Sequence, residues 1–280
     1  MLKNIIKVAL CAVVVSTTTY AQETLTNKDG KEILPTGGEF GLGFNVVPLV
    51  SYLGSNTNFS QGNYVTGNNM IFGKYMLDGS SAIRAHLGVN TSLTSTFNNV
   101  FDDTQNSPDS LVTDVRRNSN QMYRLGAGYE MRTGKGRVQG IFGADAMFAW
   151  SRNTASYEYG NVFGMLNQAP TTTTNFNTGS AAPRGERLVS QEGGATFGVG
   201  LRPYVGVEYF FAPKISIGAE FGLNMMYNTT GESRTVFEYF DPNTGDMGTV
   251  RKSIDYNAGR NSLNFTTDNF NGAVVLMFYF

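Results

Sequence analysis

Cysteine is almost missing from this chain: the single copy, Cys11, falls inside an N-terminal apolar run. Residues 1–21 have the layout of a secretory signal peptide, with Lys3 and Lys7 at the basic start, a short apolar stretch, and Thr19-Tyr20-Ala21 as a small-residue cleavage region. Leu10 stands where a lipidated cysteine needs a small neighbour, and four more apolar residues follow Cys11, so removal with the signal is the favoured expectation. That removal leaves neither disulfides nor thiolate metal sites. Histidine is equally scarce, with only His86. No apolar run reaches the roughly 20 residues that a membrane helix needs. Excess charge is missing too: 21 Lys and Arg stand against 22 Asp and Glu, which gives a polyanion such as nucleic acid nothing to bind.

What the chain has is glycine, 33 of 280 residues, spread through alternating apolar and polar segments. Glycine inside strands suits strong curvature and close approach of large neighbours. After a polar leader, residues 22–37, eight period-two segments are predicted near 38–49, 68–77, 80–95, 120–132, 136–151, 193–211, 213–229 and 261–280. Short turns are expected at Leu77-Asp78-Gly79-Ser80, Thr133-Gly134-Lys135-Gly136 and Phe211-Ala212-Pro213-Lys214. Between them lie long polar connections near 50–67, 96–119, 152–192 and 230–260. This strict alternation of connection length puts all the long loops at one end, as in transmembrane β-barrels.

The two faces differ sharply. Ile215, Ile217, Ala219, Phe221, Leu223 and Met225 alternate with Ser216, Gly218, Glu220, Gly222 and Asn224, and Ile83, Ala85, Leu87 and Val89 with Arg84, His86, Gly88 and Asn90. An Arg or Lys facing lipid near mid-membrane costs about 2–4 kcal/mol, so the polar face is expected to line the interior. That interior set is Glu39, Lys74, Arg84, His86, Arg124, Glu130, Asp145, Arg202, Glu208 and Glu220. Eight strands enclose only enough room for side chains, so these near-cancelling charges should pair across the lumen as a rigid plug. Outward aromatics are expected in two girdles: Phe40, Tyr75, Tyr129, Tyr209, Phe211 and Phe280 at the short-turn side, Tyr123, Trp150 and Tyr227 at the other.

The chain ends on Phe280 within an apolar strand, Val274-Val275-Leu276-Met277-Phe278-Tyr279-Phe280. This pattern resembles the C-terminal signature of bacterial outer-membrane barrels, which the barrel assembly machinery reads. With the eight segments, polar lumen and one-sided loops, the chain is similar to the outer-membrane protein A/X/W group of small barrels, and in composition to barrels of the Bacteroidetes. The resemblance is architectural rather than carried by a motif. It implies an all-β, eight-stranded, antiparallel up-and-down transmembrane β-barrel over 38–280, in contact with outer-membrane lipid and lipopolysaccharide, its termini periplasmic. The group includes anchors, adhesins, small channels and a few enzymes. No cofactor is expected.

Some members of that group modify lipid A with a His and a Ser near the outer rim. His86 lies near the opposite end of its strand, which argues against that chemistry, and one His without Cys is a poor zinc set. Asp241-Pro242-Asn243-Thr244-Gly245-Asp246 has oxygen ligands but lacks an EF-hand's closing Glu, and reads better as a turn. Its flanks, 235–240 and 249–254, are expected as a raised hairpin extending the last two strands; counting them as spanning would give ten strands. Pro170-Thr171-Thr172-Thr173-Thr174-Asn175 is expected to be mobile, and Asp102, Asp103, Asp109 and Asp114, with Arg116 and Arg117, to be solvated loop tips. Asp109-Ser110-Leu111 matches a common Bacteroidetes O-glycosylation tripeptide. The expected role is structural or interactive through surface loops, with an unidentified envelope or surface protein as candidate partner. The alternatives are a narrow channel or small-solute port, and an accessory subunit of an envelope complex.

Overall fold

The structure, a computed structural model, describes residues 25–45, 70–105, 107, 109–176, 186–243, 249–267 and 274–280. The signal segment, the 50–67 connection and residues 46–49 and 68–69 of the expected strands lie outside them. The described residues form one all-β sheet of twelve antiparallel strands: β1 (Phe40–Asn45), β2 (Met70–Met76), β3 (Ser81–Phe101), β4 (Leu111–Thr133), β5 (Val138–Glu158), β6 (Arg187–Glu192), β7 (Thr196–Ala212), β8 (Ile215–Thr230), β9 (Ser233–Asp241), β10 (Thr249–Asn257), β11 (Arg260–Thr267) and β12 (Val274–Tyr279). The pairing β1-β2-β3-β4-β5-β7-β8-β12 returns to β1, a closed ring of eight strands. Closure gives each of the eight strands a partner on both sides, which no open sheet can do.

The remaining strands continue ring strands. On β7 and β8 Thr196 faces Thr230, and past a short break Glu192 of β6 faces Arg234 of β9 in the same register. Likewise Arg260 faces Thr230 and Asn257 faces Ser233, so β9 and β10 prolong β8 and β11 as the expected hairpin. β6 also pairs with the end of β5, giving a sheet that rises beyond the ring at the long-connection end.

Several boundaries differ from the sequence reading: β6 lies inside the expected 152–192 connection, β7 begins at Thr196 rather than 193, and three shifts are larger. β3 runs to Phe101 rather than 95, β4 begins at Leu111 rather than 120, and β5 runs to Glu158 rather than 151. Alternation marks where a strand has one apolar face. Backbone ladders need no such face, and Asn98, Asn99, Asn118 and Asn120 pair as well as Val89 does. The last segment, expected as one strand over 261–280, is β11 and β12 separated by residues outside the described set, both paired to β8.

The short turns fall where expected. Asp78 accepts hydrogen bonds from Ser80 N at 2.7 Å and Ser81 Oγ at 2.7 Å. At the third turn Lys214 has a φ of 59°, unusual for a residue with a Cβ. Its neighbours hold it there: Lys214 N donates to Ile33 O, Tyr279 N donates to Lys214 O, and its Nζ donates to Leu34 O at 2.9 Å. The described leader residues are thereby strapped across the short-turn mouth. Ile33 and Leu34 pack with Met76, Phe210, Met277 and Tyr279 in the apolar cluster of the molecule.

Glycine makes space inside the ring. A Cβ on Gly126 would lie 2.0 Å from His86 Nε2, and one on Gly128 would lie 2.2 Å from Asp145 Oδ1. Gly126→Val should therefore cost about 1–3 kcal/mol by overpacking. Gly136→Ala, which meets nothing within 4 Å, should be silent. Denaturant unfolding of both variants measures the difference.

Candidate functional site: a buried charge lattice

Strand alternation sends Lys74, Arg84, Glu130, Asp145, Arg202, Glu208 and Glu220 inward together, and all but Glu220 are buried. Arg84 is central. Its guanidinium donates to Glu220 Oε1 at 2.8 Å and Oε2 at 3.0 Å, and to Glu130 Oε2 at 3.2 Å, with Nε 3.2 Å from Asp145 Oδ1. Its plane lies over the Tyr204 ring at 4.0 Å. Arg202 bridges Asp145 at 3.1 Å and Glu220 at 3.3 Å. Toward the short-turn end, Lys74 Nζ reaches Glu130 at 2.8 Å and Glu208 at 3.5 Å.

Arg132, absent from the sequence-derived set, completes this end. It donates to Glu208 at 2.7 Å and Glu130 at 3.1 Å, and also to the Tyr279 hydroxyl. Tyr279 donates onward to Glu208 Oε1 at 2.7 Å, and Ser216 Oγ to the same carboxylate. Parity would have found Arg132, two residues beyond Glu130 on one strand, and Tyr279, two beyond Met277. Four cations (Lys74, Arg84, Arg132, Arg202) thus meet four carboxylates (Glu130, Asp145, Glu208, Glu220). With no net charge and several bonds to each group, the desolvation penalty of the buried ions is offset by mutual contact.

Two members of the expected set sit elsewhere. Glu39 is half-buried at the short-turn rim, where Lys214 Nζ reaches it at 2.6 Å and Thr36 Oγ1 donates at 2.9 Å. It precedes the first ring strand, so the inward parity of β1 does not govern it. Burial pushes the Glu39 carboxyl up, but the Lys214 and Thr36 hydrogen bonds outweigh this and hold it below its ordinary value. Arg124 is half-buried, six residues along β4 from Glu130, about 20 Å toward the long-connection end. His86 is buried beside the lattice, its Nδ1 3.9 Å from Asp145 and its Nε2 3.0 Å from Met147 Sδ.

A second built region joins the long connections. The threonine run, expected to be mobile, is instead bound: Thr171 N donates to Asp103 at 2.6 Å, Thr174 N to Asp114 at 2.7 Å, and Thr173 and Thr174 are buried. Asp114, expected as a solvated tip, is fully buried and also accepts from Gly160 N at 2.9 Å. Composition suggested mobility because a threonine run carries no apolar anchor; the carboxylates of Asp103, past the end of β3, and Asp114, on β4, supply one. Asn161 ties Phe101 O and Thr172 O together, and Arg187 lies 4.4 Å from both the Tyr159 and Phe163 rings while pairing with Glu238 at 2.7 Å. Burial pushes the Tyr159 hydroxyl up to about 12. Asp241 accepts from Asn243 N at 3.0 Å and pairs with Arg251 at 3.1 Å, consistent with a turn.

No known protein family, curated protein or solved structure matches this chain.

Arg84→Met leaves three carboxylates without their shared cation and should lower unfolding free energy by about 3–5 kcal/mol. Arg152→Met, which removes an exposed pair with Glu192 at 3.4 Å, should cost at most about 1 kcal/mol. Denaturant titration of both separates lattice from surface.

Burial raises the Asp103 carboxyl, but hydrogen bonds from Thr172 and Thr171 more than offset it, so its value lies below the ordinary 3.8. A depressed carboxylate stabilises the fold fully above its unfolded value and loses that contribution as pH falls through the folded one. Amide protection at Thr171 and Thr172, taken as the exchange rate relative to the intrinsic rate at each pH, should therefore hold above the ordinary carboxyl value and fall below it, and Asp103→Asn should abolish it at neutral pH.

Proposed function

We propose that this chain is a non-enzymatic outer-membrane β-barrel of a Gram-negative envelope, closed by its own charge lattice and acting structurally or through its loop platform. One observation carries the reading: the molecule is inside out for water. Val199, Leu201, Val205, Val207, Tyr209, Ile83, Leu87, Val89, Leu125 and Phe221 are exposed on the outer face, while Arg84, Glu130, Asp145 and Glu208 are buried. A contiguous apolar surface around a whole ring far exceeds the few hundred Å² that water-soluble monomers expose. Lipid is the solvent that makes it favourable.

The dimensions agree. Phe197 and Tyr209 are exposed twelve residues apart on β7, about 40 Å along the strand and about 30 Å in height at the usual tilt, near the 25 Å band with its girdles. The Tyr123 and Trp150 rings meet at a tilt with centroids 5.5 Å apart, and those of Phe40 and Tyr75 at 4.8 Å, one pair in each expected girdle. Phe280 exchanges backbone hydrogen bonds with Phe40 at 2.9 Å each, which helps close the ring.

The buried lattice and the strapped mouth favour a closed plug over a channel. The loop platform and the edge strand β10, paired only with β9 among the described residues, favour recognition of another envelope protein by strand addition. Planar bilayers test the closed state. The purified protein should insert and give no stepwise conductance, and steady single-channel steps would replace the plug with the channel reading.

A further inference from the structure

Counting only His and Cys makes the interior a poor metal site, but thioethers are ligands too. His86, Gly126, Met147, Gly200 and Met226 are successive register partners across β3, β4, β5, β7 and β8, so they form one inward layer. The two glycines leave space that the donors occupy. A Cβ at Gly126 would meet His86 Nε2 at 2.0 Å, and one at Gly200 would meet Met226 Sδ at 2.4 Å. Between them, Met147 Sδ lies 3.0 Å from His86 Nε2.

We infer that this layer is a binding site for a soft monovalent cation, Cu(I) in chemical class, held by His86 Nε2, Met147 Sδ and, after rotation of its flexible side chain, Met226 Sδ. Thioether and imidazole donors select Cu(I) over hard cations. The second ring nitrogen supports the assignment. His86 Nδ1 is 3.9 Å from Asp145 Oδ2, the oxygen that also accepts from Arg202 at 3.1 Å. A proton on Nδ1 directed at that carboxylate is the usual arrangement behind a metal-bound imidazole. With its proton on Nδ1, the imidazole presents the Nε2 lone pair toward Met147 Sδ, and a cation between the two is bound by both.

The layer is also reachable. Next to it on the long-connection side, the inward residues Asn90, Met122, Ala149 and Ser151 are only partly buried. On the other side, Arg84, Glu130 and Asp145 are sealed. A cation arriving from the long-connection end would stop on the lattice.

Ag(I), a redox-inert stand-in for Cu(I), is the probe. Titrated calorimetrically into the folded full-length protein carrying Cys11→Ala, which removes a thiolate that would itself take up Ag(I), it should bind one to one and not be displaced by excess Zn(II). Met147→Leu, close in volume and outside the charge lattice, should weaken binding by more than the roughly 10–100-fold that loss of an outer-shell partner costs. Met226→Leu should weaken it less. X-ray absorption of the Cu(I) complex should show nitrogen and sulfur scatterers. Absence of stoichiometric Ag(I) binding would overturn the proposal. So would equal affinity in the Met147→Leu variant with unfolding unchanged, because the ion would then sit elsewhere and His86 would simply be hydrogen-bonded to sulfur.

Discussion

Closing eight strands leaves an interior with room for side chains and little more, and that geometric limit organises the molecule. If the interior is polar, every charge in it must find a partner within the same small volume. Arg84 satisfies the requirement for three carboxylates at once, and Arg132, Lys74 and Arg202 complete it. The lattice crosslinks strands that share no ladder: Arg84 of β3 bonds Glu220 of β8, while Arg132 of β4 bonds Glu208 of β7 and Tyr279 of β12. A ladder joins only neighbours, so the charges fix the cross-section of the ring.

The same limit explains the glycines and the mouth. Large inward groups need an empty partner position, as His86 finds at Gly126 and Asp145 at Gly128. Below the lattice, polar partners give way to an apolar cluster, closed by Ile33 and Leu34 from the leader. Lys214 ties that strap to the ring through Glu39 and the Leu34 carbonyl. From the short-turn end upward, the interior passes from apolar seal to charge lattice to a layer of sulfur and imidazole.

Much of the fold was legible because period-two alternation is a direct record of two unlike surroundings. It placed the ring strands, the short turns and the inward side of Arg84, Glu130, Asp145, Arg202, Glu208 and Glu220. It failed where the strands run on with polar residues on both faces, so the far ends of β3, β4 and β5 read as loops. Partner choice was illegible, because which inward charge meets which depends on the stagger between strands, a quantity carried by no single strand. The binding of Thr171–Thr174 by Asp103 and Asp114 was hidden for a similar reason: two separate connections must meet before either looks ordered. The sulfur layer was overlooked because methionine at an inward position passes for filling.

The account depends on what touches Val207 and its neighbours on the outer face. Cys11 is the single cysteine, so Cys11→Ala gives a background for single-cysteine labelling. Nitroxide spin labels at Val207→Cys and Leu125→Cys, in protein reconstituted into lipid vesicles, report local oxygen and water-soluble chromium oxalate by electron paramagnetic resonance. The account predicts high oxygen and low chromium accessibility at both positions, reversed at a loop position such as Leu166→Cys. High chromium accessibility on the outer face, or labels immobilised in a dry protein contact in lipid-free solution, would contradict it.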